Sequence, residues 1–249
     1  MKKAIIIILS LAVFPLKSFS QSAIDIMKKV DEVSYVKSSK SAVLQTVINP
    51  EGEKRIFKIV SYSYNGNEKT LIHYIYPNRV KGMKILTLKG GEEIWAYFPR
   101  TNRTRRIASS ARKRKVQGSD FTYDDLAQGK YVEQYKGKLL SQEKYKGRDC
   151  YKLKLIPTKK GPIESYSKLV VWIDKEKYIP LRIDYYDVDN ELQKRLLLED
   201  YKTIQGHITP MKLIMENLQD GGKTIMEIKA IKFDIKLSKD IFSPDNLSK

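Results

Sequence analysis

Two histidines, one cysteine and a close trio of aspartates are the side chains here best suited to catalysis or metal binding. Each lacks the company that such work requires. His73 and His207 are the only histidines, and neither has a Cys or His neighbour at ligand spacing. Cys150 stands in Gly147-Arg148-Asp149-Cys150-Tyr151. An adjacent arginine favours a thiolate, but a small hydrophobe at the start of a strand is the better reading. Asp120, Asp124 and Asp125 lack the alternate spacing and the glycine of a calcium loop. No H-E-x-x-H, G-x-S-x-G, P-loop or G-x-G-x-x-G occurs. Acids on distant strands can converge into a glycosidase-like pair, yet nothing in the sequence selects one. The expectation is a protein with no catalytic residue, no metal and no cofactor.

What remains is chemistry of charge and of apolar surface. Residues 100–115 carry arginine and lysine in quantity and no acid, and end in the consecutive Arg112, Lys113, Arg114 and Lys115. Guanidinium groups pair phosphate oxygens two at a time. This stretch is therefore a predicted dock for phosphate headgroups or an acidic partner, with a solvated basic loop as the plain alternative. The whole chain carries a formal charge of +18, which suits an anionic surface.

The elements that must position these residues show in the hydrophobic spacing. Ser22 followed by Asp25 is a weak capping box. Ala23, Ile26, Met27, Val30 and Val33 then recur at helical spacing opposite Lys28, Lys29, Asp31 and Glu32. Beyond residue 41 the period changes to two, as in Tyr151, Leu153 and Leu155 alternating with Lys152 and Lys154. Asn49-Pro50-Glu51-Gly52, Asn65-Gly66, Gly90-Gly91, Lys146-Gly147, Asp189-Asn190 and Gly221-Gly222 separate such runs as turns. The pattern predicts about ten strands in a large antiparallel meander. Ile94-Trp95-Ala96-Tyr97-Phe98 and Leu169-Val170-Val171-Trp172-Ile173 are apolar on both faces. One face can meet the amphipathic helix, and the other needs more protein or a greasy cavity. Trp95, Phe98 and Trp172 are accordingly predicted to touch a hydrophobic ligand.

The N-terminus predicts the compartment. Lys2 and Lys3 precede an apolar run over residues 4–16, and Ser18-Phe19-Ser20 supplies the small residues read by a signal peptidase. Pro15 and Lys17 cut the run below the ~20 residues of a membrane span. Gln21, where a lipid-anchored protein would have cysteine, predicts a mature chain that is soluble and unanchored. Export argues against nucleic acid as a partner, and one cysteine cannot make an internal disulfide.

Three stretches together carry a resemblance. Glu93-Ile94-Trp95-Ala96-Tyr97-Phe98-Pro99 is followed by Arg105-Arg106-Ile107. Next comes Gly118-Ser119-Asp120-Phe121-Thr122-Tyr123-Asp124-Asp125-Leu126. This succession resembles the signature of outer-membrane lipoprotein-sorting proteins, in the LolA/LolB-like superfamily of periplasmic lipoprotein carriers. The resemblance implies a mainly β fold with some α: an incomplete, half-open antiparallel β-barrel, strongly curved and covered by helices on its open side. It implies one carrier domain over residues 21–249, with lipoprotein acyl chains or lipid held in the hollow. Arg105, Arg106, Gly118, Ser119, Asp120, Phe121, Tyr123, Asp125 and Leu126 are the positions that match the motif. Val116-Gln117 and the basic gap before it depart from the family pattern and suggest a partner special to this branch. The implied function is a non-enzymatic carrier for lipoprotein sorting or lipid transport to the outer membrane, its release driven by a partner such as an inner-membrane exporter. A sensor or accessory subunit of such an exporter is the second reading, and an envelope hydrolase a distant third. N-terminal sequencing of osmotically released protein should give Gln21 or a residue beside it, whereas recovery only with detergent-extracted membranes would contradict the soluble reading.

Overall fold

The structure is a computed structural model that describes residues 21–127 and 129–249, so the expected signal peptide lies outside the described residues. The predicted helix is present as α1 (Ala23–Ser34). Its cap is the predicted serine: the Ser22 side chain accepts a hydrogen bond from the Asp25 amide and donates one to the Asp25 carboxylate. Ala23, Ile26, Met27 and Val30 are its buried residues.

Thirteen strands follow rather than about ten. The first meander is β1 (Ser38–Ile48), β2 (Lys54–Tyr64), β3 (Lys69–Tyr76), β4 (Lys84–Leu88), β5 (Glu93–Phe98) and β6 (Arg103–Arg106). The second is β7 (Tyr135–Tyr145), β8 (Arg148–Pro157), β9 (Lys168–Asp174), β10 (Pro180–Tyr186), β11 (Leu192–Ile204), β12 (His207–Asn217) and β13 (Lys223–Phe233). All six predicted turns lie between successive strands. The undercount has a simple cause, since strands as short as β4 and β6 offer too few residues for alternation to be read, and β6 is Arg-Thr-Arg-Arg.

Antiparallel pairing of β1 with β13 joins the two meanders into one sheet, ordered β6-β5-β4-β3-β2-β1-β13-β12-β11-β10-β9-β8-β7. The sheet is curved and unclosed, with β6 and β7 as its edges. Both edges carry positive charge, from Arg103, Arg105 and Arg106 on one and Lys136, Lys138 and Lys144 on the other. Charged edges discourage pairing with another chain.

Strand alternation defines an inner face, on which α1 packs. Ile26, Met27 and Val30 meet Leu153, Leu155, Val171, Ile183, Leu196 and Met215 there. Gly137 of β7 permits this approach, because a Cβ at that position would stand 2.4 Å from the Met27 sulfur. The other half of the inner face gathers Phe57, Ile59, Tyr74, Ile85, Ile94 and Ala96. On the outer face the chain end returns over the sheet, and Phe242 and Leu247 bury Leu71 and Leu86.

Because β6 and β7 are opposite edges, the chain between them must cross the sheet. Residues 107–127 and 129–134 do so over the inner face and include α2 (Tyr123–Leu126) and α3 (Tyr131–Gln134). The motif from Gly118 to Leu126 lies within this crossing. Phe121 packs into the α1 half of the core, Tyr123 into the other half, and Leu126 touches both. Thr122 and Asp125 form a reciprocal capping box at α2. Asp125 then accepts from Lys194 Nζ at 2.5 Å and from the Tyr166 hydroxyl at 2.6 Å. Lys194 also donates to the Asp120 carbonyl at 3.4 Å and faces the rings of Tyr166 and Tyr185. The Asp120 amide donates to Thr224 Oγ1, whose hydroxyl donates back to Asp120 Oδ2 at 2.8 Å. The side chains of Lys194 and Asp125 are only 3% and 1% exposed, so this is a fully buried ion pair.

Lys194→Met leaves Asp125 as a buried, unpaired carboxylate, which should cost about 3–5 kcal/mol of stability in urea unfolding. Asp125→Asn combined with Lys194→Met should recover much of that loss. On the outer face Asp184 is nearly buried and accepts from Arg182 and Arg195. Burial alone would raise its pKa, but these two guanidiniums outweigh it and hold the carboxyl below its usual 3.8. A depressed carboxyl contributes stability that is present above its unfolded pKa and is lost as pH falls through the folded one. The stability gap between the wild type and Asp184→Asn should therefore be widest near neutral pH and shrink on acidification below about 4, as read from urea midpoints at each pH.

Candidate functional site

Two openings lie at opposite ends of the inner face, on either side of the crossing segment. The first lies at the end marked by the β2–β3 and β11–β12 turns. It is a slot of about 210 Å³ between the C-terminal end of α1, the start of α3 and strands β10 to β12. Ile179, Ile183, Leu196, Leu198, Ile208 and Leu213 supply its apolar wall. Leu198 and Leu213 face each other across the β11–β12 ladder. The polar groups at its border are engaged elsewhere. The Asp31 carboxylate accepts from the Tyr131 and Val132 amides at 2.8 and 3.1 Å, which ties α1 to the start of α3. Burial raises the Asp31 pKa despite these two bonds. The Tyr35 hydroxyl donates to Asn65 at 3.1 Å, and that of Tyr201 to the Pro180 carbonyl. Such a slot is suited to hold an apolar chain and has no acid/base pair aimed into it.

The second opening lies at the other end, among the β1–β2, β3–β4 and β5–β6 turns. It is a cleft of about 710 Å³. Arg55, Arg79, Arg100, Arg105 and Lys115 line it, and Val80, Met83, Phe98 and Pro99 give it an apolar floor. Arg55 donates to the Gly118 carbonyl at 3.2 Å. Gly118 has φ +69°, a conformation that favours glycine, and a Cβ there would stand 2.7 Å from the Arg55 guanidinium and displace its end. Lys115 bridges Asp120 at 3.4 Å and Asp220 at 2.7 Å.

The residues singled out in the sequence divide between these places and the outer face. Phe98 reaches the cleft floor, and Arg105 its rim. Trp95 and Trp172 touch neither opening. Trp95 alternates with Ile94 and Ala96 and packs outside, in the cluster of Leu86, Phe242 and Leu247. Trp172 lies opposite Val171 on the outer face, with the Arg182 and Lys152 cations 4.2 and 4.8 Å from its ring centre. Its indole N–H donates to Glu143 at 2.7 Å. These two tryptophans, expected to meet a ligand in the hollow, lie instead on the outer face. Their strands are apolar on both faces, and the face they occupy is filled by protein.

The four consecutive cations also separate. Arg112 is largely buried: it donates to the carbonyls of Gly91 and Glu92 and lies 3.9 Å from Asp124. Burial raises the Asp124 pKa, although the Ser165 hydroxyl and Arg112 oppose the shift. With Lys115 paired as well, only Lys113 and Arg114 of the four stand exposed without an ion pair among the described residues. Arg106 points outward, 3.9 Å from Glu93. Gly118, Ser119, Asp120, Phe121, Tyr123, Asp125 and Leu126 build the crossing segment itself. Lys194, Tyr166, Arg55 and Arg79 were not anticipated. Lys194 shares its strand face with Leu196 and Leu198, and a lysine in an apolar row signals a buried counterion. Among the described residues no group of three or more His, Cys, Asp or Glu side chains is placed to hold a metal ion, and no helix is long and apolar enough to cross a membrane.

Comparison with known proteins bears on this arrangement. A family model described as "Uncharacterized protein" matches residues 66–249, more than half of the chain. No curated protein matches. An outer-membrane lipoprotein-sorting protein domain from Vibrio parahaemolyticus superposes with a TM-score of 0.84 at 26% identity, over 91% of this chain and 98% of that one. A DUF1329 family protein from Desulfovibrio piger gives 0.84 at 27% identity, over 90% and 97%. A LolA superfamily protein from Nitrosomonas europaea shares the fold, at 0.76 and 22% identity over 91% and 99%. With its unclosed antiparallel sheet and its motif laid across the inner face, the chain belongs to the LolA/LolB-like superfamily of outer-membrane lipoprotein-sorting proteins.

Proposed function

We propose that the protein is an exported carrier, folded as one domain over residues 21–249, that shelters acyl chains of a lipid or lipoprotein in the slot beneath α1. The observation that carries this reading is the slot itself, walled by Ile183, Leu196, Leu198, Ile208 and Leu213. It occurs on a fold shared with a lipoprotein-sorting domain. Each methylene withdrawn from water contributes about 0.8 kcal/mol, so an acyl chain crossing an aqueous compartment needs such a shelter. A helix held by one apolar stripe and by the Asp31 link to α3 is suited to act as the lid. Lifting it would lengthen a 210 Å³ slot into a groove for a longer chain. The sequence has no nucleotide-binding motif, so release would draw on a partner that holds the acyl chain more tightly, such as an inner-membrane exporter.

The native tryptophans lie outside, so a reporter must be placed in the slot. Leu198→Trp should show a blue shift on titration with a palmitoylated peptide, and native mass spectrometry of protein purified without detergent should show retained lipid. Leu198→Asp with Leu213→Asp places charge in the apolar wall and should weaken palmitoyl-peptide binding by about tenfold or more. An unchanged reporter spectrum together with lipid-free protein would remove the carrier reading.

A further inference from the structure

The cationic cleft at the far end of the sheet has no part in sheltering an acyl chain beneath α1. The crossing segment lies between the two openings, and no residue lines both. Five cations meet in the cleft and no carboxylate lines it. Two of the five are already occupied: Lys115 by Asp120 and Asp220, and Arg55 in part by the Gly118 carbonyl. Arg79, Arg100 and Arg105 make no ion pair among the described residues. They come from the β3–β4 turn, the β5–β6 turn and strand β6, so the fold itself brings three uncompensated guanidiniums to one rim. Like charges gathered this way repel, and an anion seated among them relieves the repulsion. Guanidinium forks match the paired oxygens of a phosphate.

The floor narrows the choice of anion. Phe98 and Pro99 are half-buried and present apolar surface to the cleft, and the buried Val80 and Met83 pack behind them. A free phosphate would use the rim alone. An amphiphile would set its phosphate on the rim and its first carbons on the floor. The volume of about 710 Å³ falls in the range of single small-ligand sites, so the cleft suits one headgroup. The solvated neighbours Lys81, Arg103 and Arg114 add positive charge around it, which favours approach to an anionic lipid surface.

We propose that the cleft rimmed by Arg79, Arg100 and Arg105 and floored by Phe98 and Pro99 seats the phosphate headgroup of an anionic phospholipid at a membrane surface. It is a second lipid-recognition site, independent of the slot beneath α1.

Calorimetric titration of the purified protein with dihexanoyl-phosphatidylglycerol, kept below its micelle concentration, tests this. Dihexanoyl-phosphatidylcholine and inorganic phosphate are the comparison ligands. Phosphatidylglycerol should bind about tenfold more tightly than either, because only it uses rim and floor together with a net negative charge. Arg79→Gln with Arg105→Gln should weaken that binding by about tenfold or more. Lys136→Gln with Lys138→Gln, which removes equal charge from the β7 edge, should change it less than about twofold. All four residues are exposed, and matching urea midpoints would show that both variants fold. Vesicles containing phosphatidylglycerol should rank the three proteins in the same order by cosedimentation. Phosphate binding as tightly as phosphatidylglycerol would make the cleft a simple anion site and overturn the proposal. Equal binding of the neutral lipid, or equal losses in the two double variants, would overturn it as well.

Discussion

The buried pair of Asp125 and Lys194 is the contact on which the inner face of this protein depends. An ion taken out of water costs several kcal/mol even after relaxation, so the pair needs every partner it has. Asp125 receives the Tyr166 hydroxyl and the Thr122 amide, and Lys194 adds the Asp120 carbonyl and two tyrosine faces. The arrangement answers a problem set by topology. A chain leaving one edge of an unclosed sheet for the opposite edge must pass over the concave side, where apolar contact alone would let it settle in several registers. A charge on α2 that can be satisfied at one place on β11 selects a single register. Thr224 reinforces it from β13 by holding Asp120 through both backbone and side chain.

That fixed crossing divides the inner face by chemistry. Toward α1 the walls are leucine, isoleucine and tyrosine, with polar groups turned to one another. Toward the β3–β4 and β5–β6 turns, arginines gather without acids between them. Arg55 and Lys115 serve both the crossing and the cleft, because they hold the crossing segment while lining the cleft. Gly118, at φ +69°, leaves room for the Arg55 guanidinium beside its carbonyl. The motif that carries the family likeness is thus mainly a means of anchoring the crossing, with an opening on either side of it.

Much of this was legible in the sequence. The helix cap at Ser22, the turns and the antiparallel pattern follow from local rules, and the nine-residue motif carried the fold family. Three things were not legible, each for a physical reason. Period-two spacing says that Trp95 and Ile94 face opposite ways, but when both faces are apolar it cannot say which is inside. A run such as Arg112-Lys113-Arg114-Lys115 reads as free charge because its partners, the carbonyls of Gly91 and Glu92 and the carboxylates of Asp124 and Asp220, come from elsewhere in the chain. The cleft was invisible because Arg55 at the start of β2, Arg79 in the β3–β4 turn and Arg100 in the β5–β6 turn are far apart in sequence, and only the folded sheet brings them together. Lys194 was within reach, since its alternation with Leu196 and Leu198 places a charge among core residues.

The seam between β1 and β13 has a consequence for how the chain acquires its shape. Every other ladder joins strands adjacent in sequence, so hairpins from β1 to β6 can form while the remainder is still being made. The free side of β1 has no partner until the last strand is complete, and at that stage it is a bare edge in what will become the middle of the sheet. Its composition suits the wait: Ser38, Ser39, Lys40 and Ser41 begin it and Gln45 and Thr46 interrupt it, so it is a poor template for strands of other chains. A chain ending before β13 would retain both meanders as local structures, but nothing would join them, and the crossing segment would span a gap instead of a floor.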